Sequence, residues 1–94
     1  MDPILHERSG ERGGFLIRRE GRVVAQLTYT RGGAIAIIDH TDVDPVLRGT
    51  GAGARLVESA VQWARAENVQ IVALCPFAKS VFDKTPAFAD VLKK

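Results

Sequence analysis

Apolar and polar residues alternate through the first half of the chain, and the period changes near residue 51. Phe15-Leu16-Ile17-Arg18-Arg19 and Arg22-Val23-Val24-Ala25-Gln26-Leu27-Thr28-Tyr29 are β-rich runs on either side of Glu20-Gly21. Two such runs around a two-residue link containing glycine predict a hairpin. Ile4-Leu5-His6-Glu7 predicts a shorter first strand, and the polar stretch from Ser9 to Gly14 predicts a loop. Arg31-Gly32-Gly33 predicts the next turn and Ala34 to Val43 a further strand. Pro45 ends that strand, because proline has no N–H to give a ladder.

From Gly51 to Glu67 the apolar residues Leu56, Val57, Ala60, Val61 and Ala64 recur at helical spacing, with Arg55, Glu58, Gln62 and Arg65 largely off that stripe. Asn68 is the expected stop, since asparagine tolerates the left-handed conformation at a helix end. Ile71-Val72-Ala73-Leu74 reads as a buried strand of the parallel kind. Pro76 suits a first helical position, so Phe77 to Asp83 predicts a short helix, and Pro86 to Leu92 a second short helix or closing segment. The order β-β-β-β-α-β-α is that of an α+β (α/β-type) domain: a mixed, mostly antiparallel sheet with one long crossover helix and short C-terminal helices.

Composition narrows the class. Ninety-four residues, 46% hydrophobic and 26% charged, suit one soluble domain spanning residues 1–94. Unbroken apolar stretches reach only five residues, as in Ala34–Ile38, where a membrane helix needs about 20. The segment Met1–Arg8 has no apolar run of the secretory type, and Cys75 is the only cysteine, so neither a disulfide nor a cysteine-based zinc site is expected. A net charge of +2 is a weak field for nucleic acid. A cytoplasmic protein with no metal, no membrane and no nucleic-acid partner is the expectation.

The most informative stretch is Val43-Asp44-Pro45-Val46-Leu47-Arg48-Gly49-Thr50-Gly51-Ala52-Gly53, between a predicted strand and the long helix. Glycines let backbone N–H groups crowd around an anion, and the helix start adds about half a positive charge. A phosphate or pyrophosphate is the natural ligand. No Gly-Lys-Ser/Thr follows, which excludes a Walker loop. Gly49-x-Gly51-x-x-Ala54 matches a dinucleotide fingerprint only superficially: Pro45-Val46-Leu47-Arg48 intervene before it, and the next strand ends in Leu74-Cys75 instead of an acid.

Val43-x-Pro45 followed by Arg48-x-x-Gly51-x-Gly53 resembles the acetyl-CoA signature of the GNAT N-acetyltransferase superfamily. The pairing of His40-Thr41-Asp42-Val43 with Cys75-Pro76-Phe77 is similar to a small single-domain GNAT-like subfamily, and the likeness spans residues 15–92. It implies a minimal GNAT fold that binds acetyl-CoA as co-substrate. The backbone of Thr41, Asp42 and Val43 would run beside the pantetheine arm, and the strand after the long helix would splay away to admit it. The N–H groups of Arg48, Gly49, Thr50, Gly51, Ala52 and Gly53 would hold the pyrophosphate. Arg48 and Arg55 could add charge there or simply be solvated, and Lys79 could reach the adenosine 3′-phosphate or be an ordinary surface lysine.

The resemblance also implies direct attack of a neutral amine, from a protein lysine or a small molecule, on the thioester. Many GNAT enzymes supply a tyrosine to protonate the departing thiolate; the matching position here is Phe82, and the one tyrosine is Tyr29. Cys75 is therefore a candidate proton donor or transient acyl carrier, or else a small buried hydrophobe. His40 is the candidate base, because histidine is the residue type that titrates near neutrality, or else a structural residue, since strand alternation sets it opposite Thr41. His6 is expected at the surface or in packing, and Trp63 is expected to pack at the sheet edge instead of stacking on adenine. Asp39, Asp42 and Asp44 could attract a cationic amine, with turn chemistry an equal account of Asp44-Pro45. Residues 1–33 leave no room for the helical arms that wrap the acceptor in larger relatives, so the acceptor face is expected to be open. A non-catalytic acyl-CoA or CoA-binding module is the alternative.

Overall fold

A computed structural model describes residues 2–93. Five strands form one sheet in chain order: β1 (Leu5–Ser9), β2 (Arg12–Arg19), β3 (Arg22–Gly32), β4 (Ile35–Val43) and β5 (Gln70–Ala73). The first four pair antiparallel, and β5 joins β4 in parallel after the crossover through helix α1 (Ala52–Glu67). Helix α2 (Pro76–Lys84) and a 3-10 segment over Pro86–Val91 close the chain. Glu20 and Gly21 take φ of 51° and 77°, the primed turn that suits a twisted hairpin.

The polar stretch from Ser9 to Gly14 is not a loop. Only Gly10 and Glu11 turn, and Arg12, Gly13 and Gly14 belong to β2, paired with Thr30, Tyr29 and Thr28. The glycines there make room instead of turning: a Cβ on Gly13 would stand 2.5 Å from Cζ and Oη of Tyr29. The next turn likewise sits one residue later than expected, at Gly33 and Ala34.

All the helical segments pack on one face of the sheet. Leu56, Val57, Ala60, Val61 and Ala64 of α1 are buried, the stripe the periodicity predicts. They join Phe15, Ile17, Leu27, Tyr29, Ile38 and Ile71 of the strands, and Ala78 and Phe82 of α2, in a single core. Asn68 ends α1 with φ 55°, its N–H closing on the carbonyls of Ala64 and Arg65. On the opposite face lie Glu7, Arg12, Arg18, Gln26, Thr28, Asp39, His40 and Asp42, and no helix among the described residues covers them. Among the described residues, no helix is long and apolar enough to cross a membrane.

Two irregularities shape the end of the sheet nearest the glycine loop. Tyr29 pairs with Ile38 and Thr28 with His40, which leaves Asp39 as an extra residue in β4. This bulge resets the alternation. Ala36 and Ile38 face the helices before it, Thr41 and Val43 face them after it, and Asp39 and His40 both turn to the bare face. Secondly, β4 and β5 pair only from Ile35/Gln70 to Ile38/Ala73, and the carbonyl of Ile38 then accepts from both Leu74 and Cys75 N–H. Beyond Ile38 the two strands part.

Candidate functional site

Where β4 runs on alone, its outer edge is open. Asp44 N–H bonds Val24 O, so the pairs Val24/Asp44 and Gln26/Asp42 carry the ladder bonds to β3. Antiparallel alternation then turns the N–H and C=O of Thr41 and Val43 outward, into the gap left by β5. Asp42 differs from its neighbours: its backbone faces β3, and its side chain shares the bare face with Gln26.

The segment after β4 is a 3-10 turn over Pro45–Leu47. Asp44 caps it by accepting from Val46 N–H at 3.0 Å, and a second oxygen takes Arg22 at 2.8 Å. The bond to Val46, followed by Arg22, holds the Asp44 carboxyl below the usual aspartate range. Arg48 N–H and Thr50 N–H are engaged within the turn, on Pro45 O and Leu47 O, and the Thr50 hydroxyl also bonds Leu47 O. These two residues are thus less available to an anion than the sequence suggested. By contrast, Gly49, Gly51, Ala52 and Gly53 N–H have no backbone acceptor among the described residues. Gly49 and Gly51 both take φ of 81°, a left-handed geometry that glycine adopts without strain. Gly51 is the N-cap of α1, and no side chain caps that helix start. An uncapped helix with free N–H groups presents a positive end.

A cleft of about 450 Å³ opens between this loop and α2. Val43, Leu47, Arg48, Gly49 and Gly51 to Ala54 line one side, and Phe77, Ser80, Val81, Lys84 and Thr85 the other. The Phe77 ring lies on Gly53, where a Cβ would meet its Cζ at 2.6 Å. Phe77, Ser80, Val81 and Lys84 stand at i, i+3, i+4 and i+7, one face of α2, while Ala78 and Phe82 face the core. That spacing was present in the sequence and is the signal by which Ser80 and Lys84 could have been found. Lys79 does not line the cleft, and Arg55 turns away, donating to Asp2 O at 2.8 Å.

Cys75 is the N-cap residue of α2 and is 6% exposed. Its thiol donates to Thr41 Oγ1 at 3.5 Å across the gap between β5 and β4. Burial raises its pKa, but the hydrogen bond with Thr41 and the backbone N–H groups of Ala78 and Phe77 outweigh it, and the net shift is downward. Phe82, by contrast, is buried edge-on against Phe88, with ring centroids 6.2 Å apart, and does not reach the cleft. His40 is exposed on the bare face, so Cys75 and His40 lie on opposite sides of the sheet. Beside His40, Asp39 accepts from Thr28 at 2.6 Å and pairs with Arg12 at 3.3 Å. Asp39 and Asp44 are thus committed to arginines, and Asp42 makes no ion pair among the described residues.

Trp63 packs at the sheet edge, and His6, exposed on one side, lays its ring against Phe15 and Trp63. Trp63 lies against Tyr29 at 4.6 Å, Phe15 and His6, with the Arg31 guanidinium 5.6 Å from its ring centroid.

The chain resembles known proteins over most of its length. Residues 14–91 match the GCN5-related N-acetyltransferase family. A GCN5-like protein from Staphylococcus aureus, solved by NMR, is 32% identical with a TM-score of 0.74, covering 99% of this chain and 91% of its own. A ribosomal-protein-alanine N-acetyltransferase from Brucella melitensis shares the fold at 15% identity and a TM-score of 0.65, over 82% of this chain and 64% of that one. A Bacillus anthracis acetyltransferase solved in complex with acetyl coenzyme A is 22% identical with a TM-score of 0.57, over 70% of this chain and 39% of that one. No curated protein matches the sequence. On the family match and the Staphylococcus aureus likeness together, the chain belongs to the GCN5-related N-acetyltransferase family.

Proposed function

We propose that the cleft binds acetyl-CoA and that the protein transfers its acetyl group to an amine, either a protein lysine or a small molecule. The observation that carries the reading is that the cleft at the free N–H groups of the α1 start is lined also by Val43, the last residue of the β4 edge that β5 leaves unpaired. The pantetheine amides pair with Thr41 and Val43 as a neighbouring strand would. The pyrophosphate accepts from Gly49, Gly51, Ala52 and Gly53 N–H, with Arg48 at its side.

In this arrangement the thioester lies in the gap, with Cys75 on the helix side and the bare face on the other. The acceptor approaches from the bare face, where nothing covers the sheet and His40 is exposed. Its nitrogen attacks the carbonyl carbon, the C–N bond forms as C–S breaks, and His40 takes the proton that the amine releases. The departing CoA thiolate takes a proton from Cys75, whose depressed pKa makes it a readier donor than an ordinary thiol. Solvent then restores both groups.

Calorimetric titration with acetyl-CoA and CoA tests the binding half. Micromolar affinity that weakens from low to moderate salt is the expected result, and no heat at millimolar ligand would contradict it. Replacing Gly51 with Glu puts a carboxylate and a strained φ at the phosphate position, and should abolish binding. Turnover with lysine peptides and polyamines tests the chemical half. Cys75→Ala and His40→Ala should each lower it by about a hundredfold or more if the residues act as acid and base. The burial of Phe82 and the lack of a tyrosine at the cleft favour a second reading, a non-catalytic CoA-binding module. Binding without turnover on any amine would select it.

A further inference from the structure

The cleft carries two cationic side chains, and the second stands well away from the glycine loop. Among its lining residues are two cations, Arg48 and Lys84, and no Asp or Glu. Arg48 adjoins the glycine loop. Lys84 is seven residues beyond Phe77 on the same face of α2, about 10 Å further along the helix axis. Because the Phe77 ring rests on Gly53, that distance is measured from the phosphate end of the cleft. Lys84 makes no ion pair and no side-chain hydrogen bond among the described residues. A lysine in the last turn of a helix complements the helix dipole wherever its side chain points. That role does not account for its place on the cleft wall.

We propose that Lys84 binds the adenosine 3′-phosphate and makes the cleft selective for CoA over dephospho-CoA, an inference that rests on the cleft being the CoA site. CoA presents two anionic groups separated by a ribose, the pyrophosphate and the 3′-phosphate. The glycine loop and Lys84 are two anion-attracting groups separated along one wall. Dephospho-CoA offers the first group only and leaves Lys84 in water. Lys79 on the same helix is exposed and does not line the cleft, so it serves as the control.

The experiment compares the affinities of CoA and dephospho-CoA for the parent protein, Lys84→Gln and Lys79→Gln by calorimetry. The parent and Lys79→Gln should prefer CoA by about three- to tenfold, the size of one partly exposed charge-assisted contact. Lys84→Gln should bind the two ligands equally, with its dephospho-CoA affinity unchanged from the parent. A general loss of stability in the variant would lower both affinities together and leave their ratio intact. Equal affinities in the parent, or a preference that persists in Lys84→Gln, would overturn the assignment while leaving the cleft as a CoA site. Failure of both ligands to bind the parent would overturn the reading of the cleft itself.

Discussion

Tyr29 is held from three directions. Its hydroxyl bonds His6 Nε2 at 2.6 Å, its ring lies against Trp63, and the tip of the ring sits over the Cα of Gly13. The ring is 2% exposed and tied at its hydroxyl, so it cannot swing aside for a methyl group. Gly13→Ala should therefore lose about 1–3 kcal/mol in urea unfolding, the usual range for overpacking. An unchanged midpoint would mean that the strand yields instead. His6 makes the same corner sensitive to pH. Burial, then the nearby charge of Arg8, hold its pKa below the ordinary 6.5, against an opposing pull from Glu67. The unfolded chain then binds the proton more readily than the folded one, so this stabilisation is fully present above the ordinary value. It is lost as pH falls from 6.5 through the lowered folded pKa. Stability followed by urea unfolding should decline over that interval, and His6→Gln should decline less. Identical profiles would remove His6 as the cause.

At the scale of elements, the two ends of α1 follow opposite rules. The C-terminus is finished with a left-handed Asn68, and Asn68→Ala should lower stability by about 1 kcal/mol while Asn68→Gly keeps it. A loss of equal size in both would show that the asparagine side chain, not its φ, matters. The N-terminus has no side-chain cap at Gly51, an arrangement that forgoes roughly a few tenths of a kcal/mol of capping and leaves donors free. Both ends were legible in the sequence, because helical periodicity and end signals are local. The segment from Ser9 to Gly14 was not. Glycines usually mark turns, and here their small size answers a ring on the neighbouring strand, which no local pattern encodes. The orientation of Thr41 and Val43 was hidden for a related reason, since it depends on the bulge at Asp39 and hence on register with β3. Lys84 was missed more narrowly. The helix runs through Lys84 and not only to Asp83, and that extra residue completes the face begun by Phe77.

Across the whole molecule, the sheet divides the chemistry. One face carries α1, α2 and the cleft, and the other is bare around His40, Thr28 and Asp39. The sheet parts between β4 and β5 beyond Ile38, and it is through this break that the proposed function has a ligand on the first side meet an acceptor on the second. On the proposed function CoA and acceptor use separate surfaces, so saturating acceptor should leave CoA affinity unaltered. An amide NMR titration of the isotope-labelled protein with CoA tests both the cleft and this division. The largest shifts should fall on Thr41, Val43, Gly49, Gly51, Ala52 and Gly53, with β1 and the first half of β2 little changed. Shifts concentrated on the bare face or on the β1–β2 hairpin, or none at saturating ligand, would contradict the assignment of the cleft to CoA.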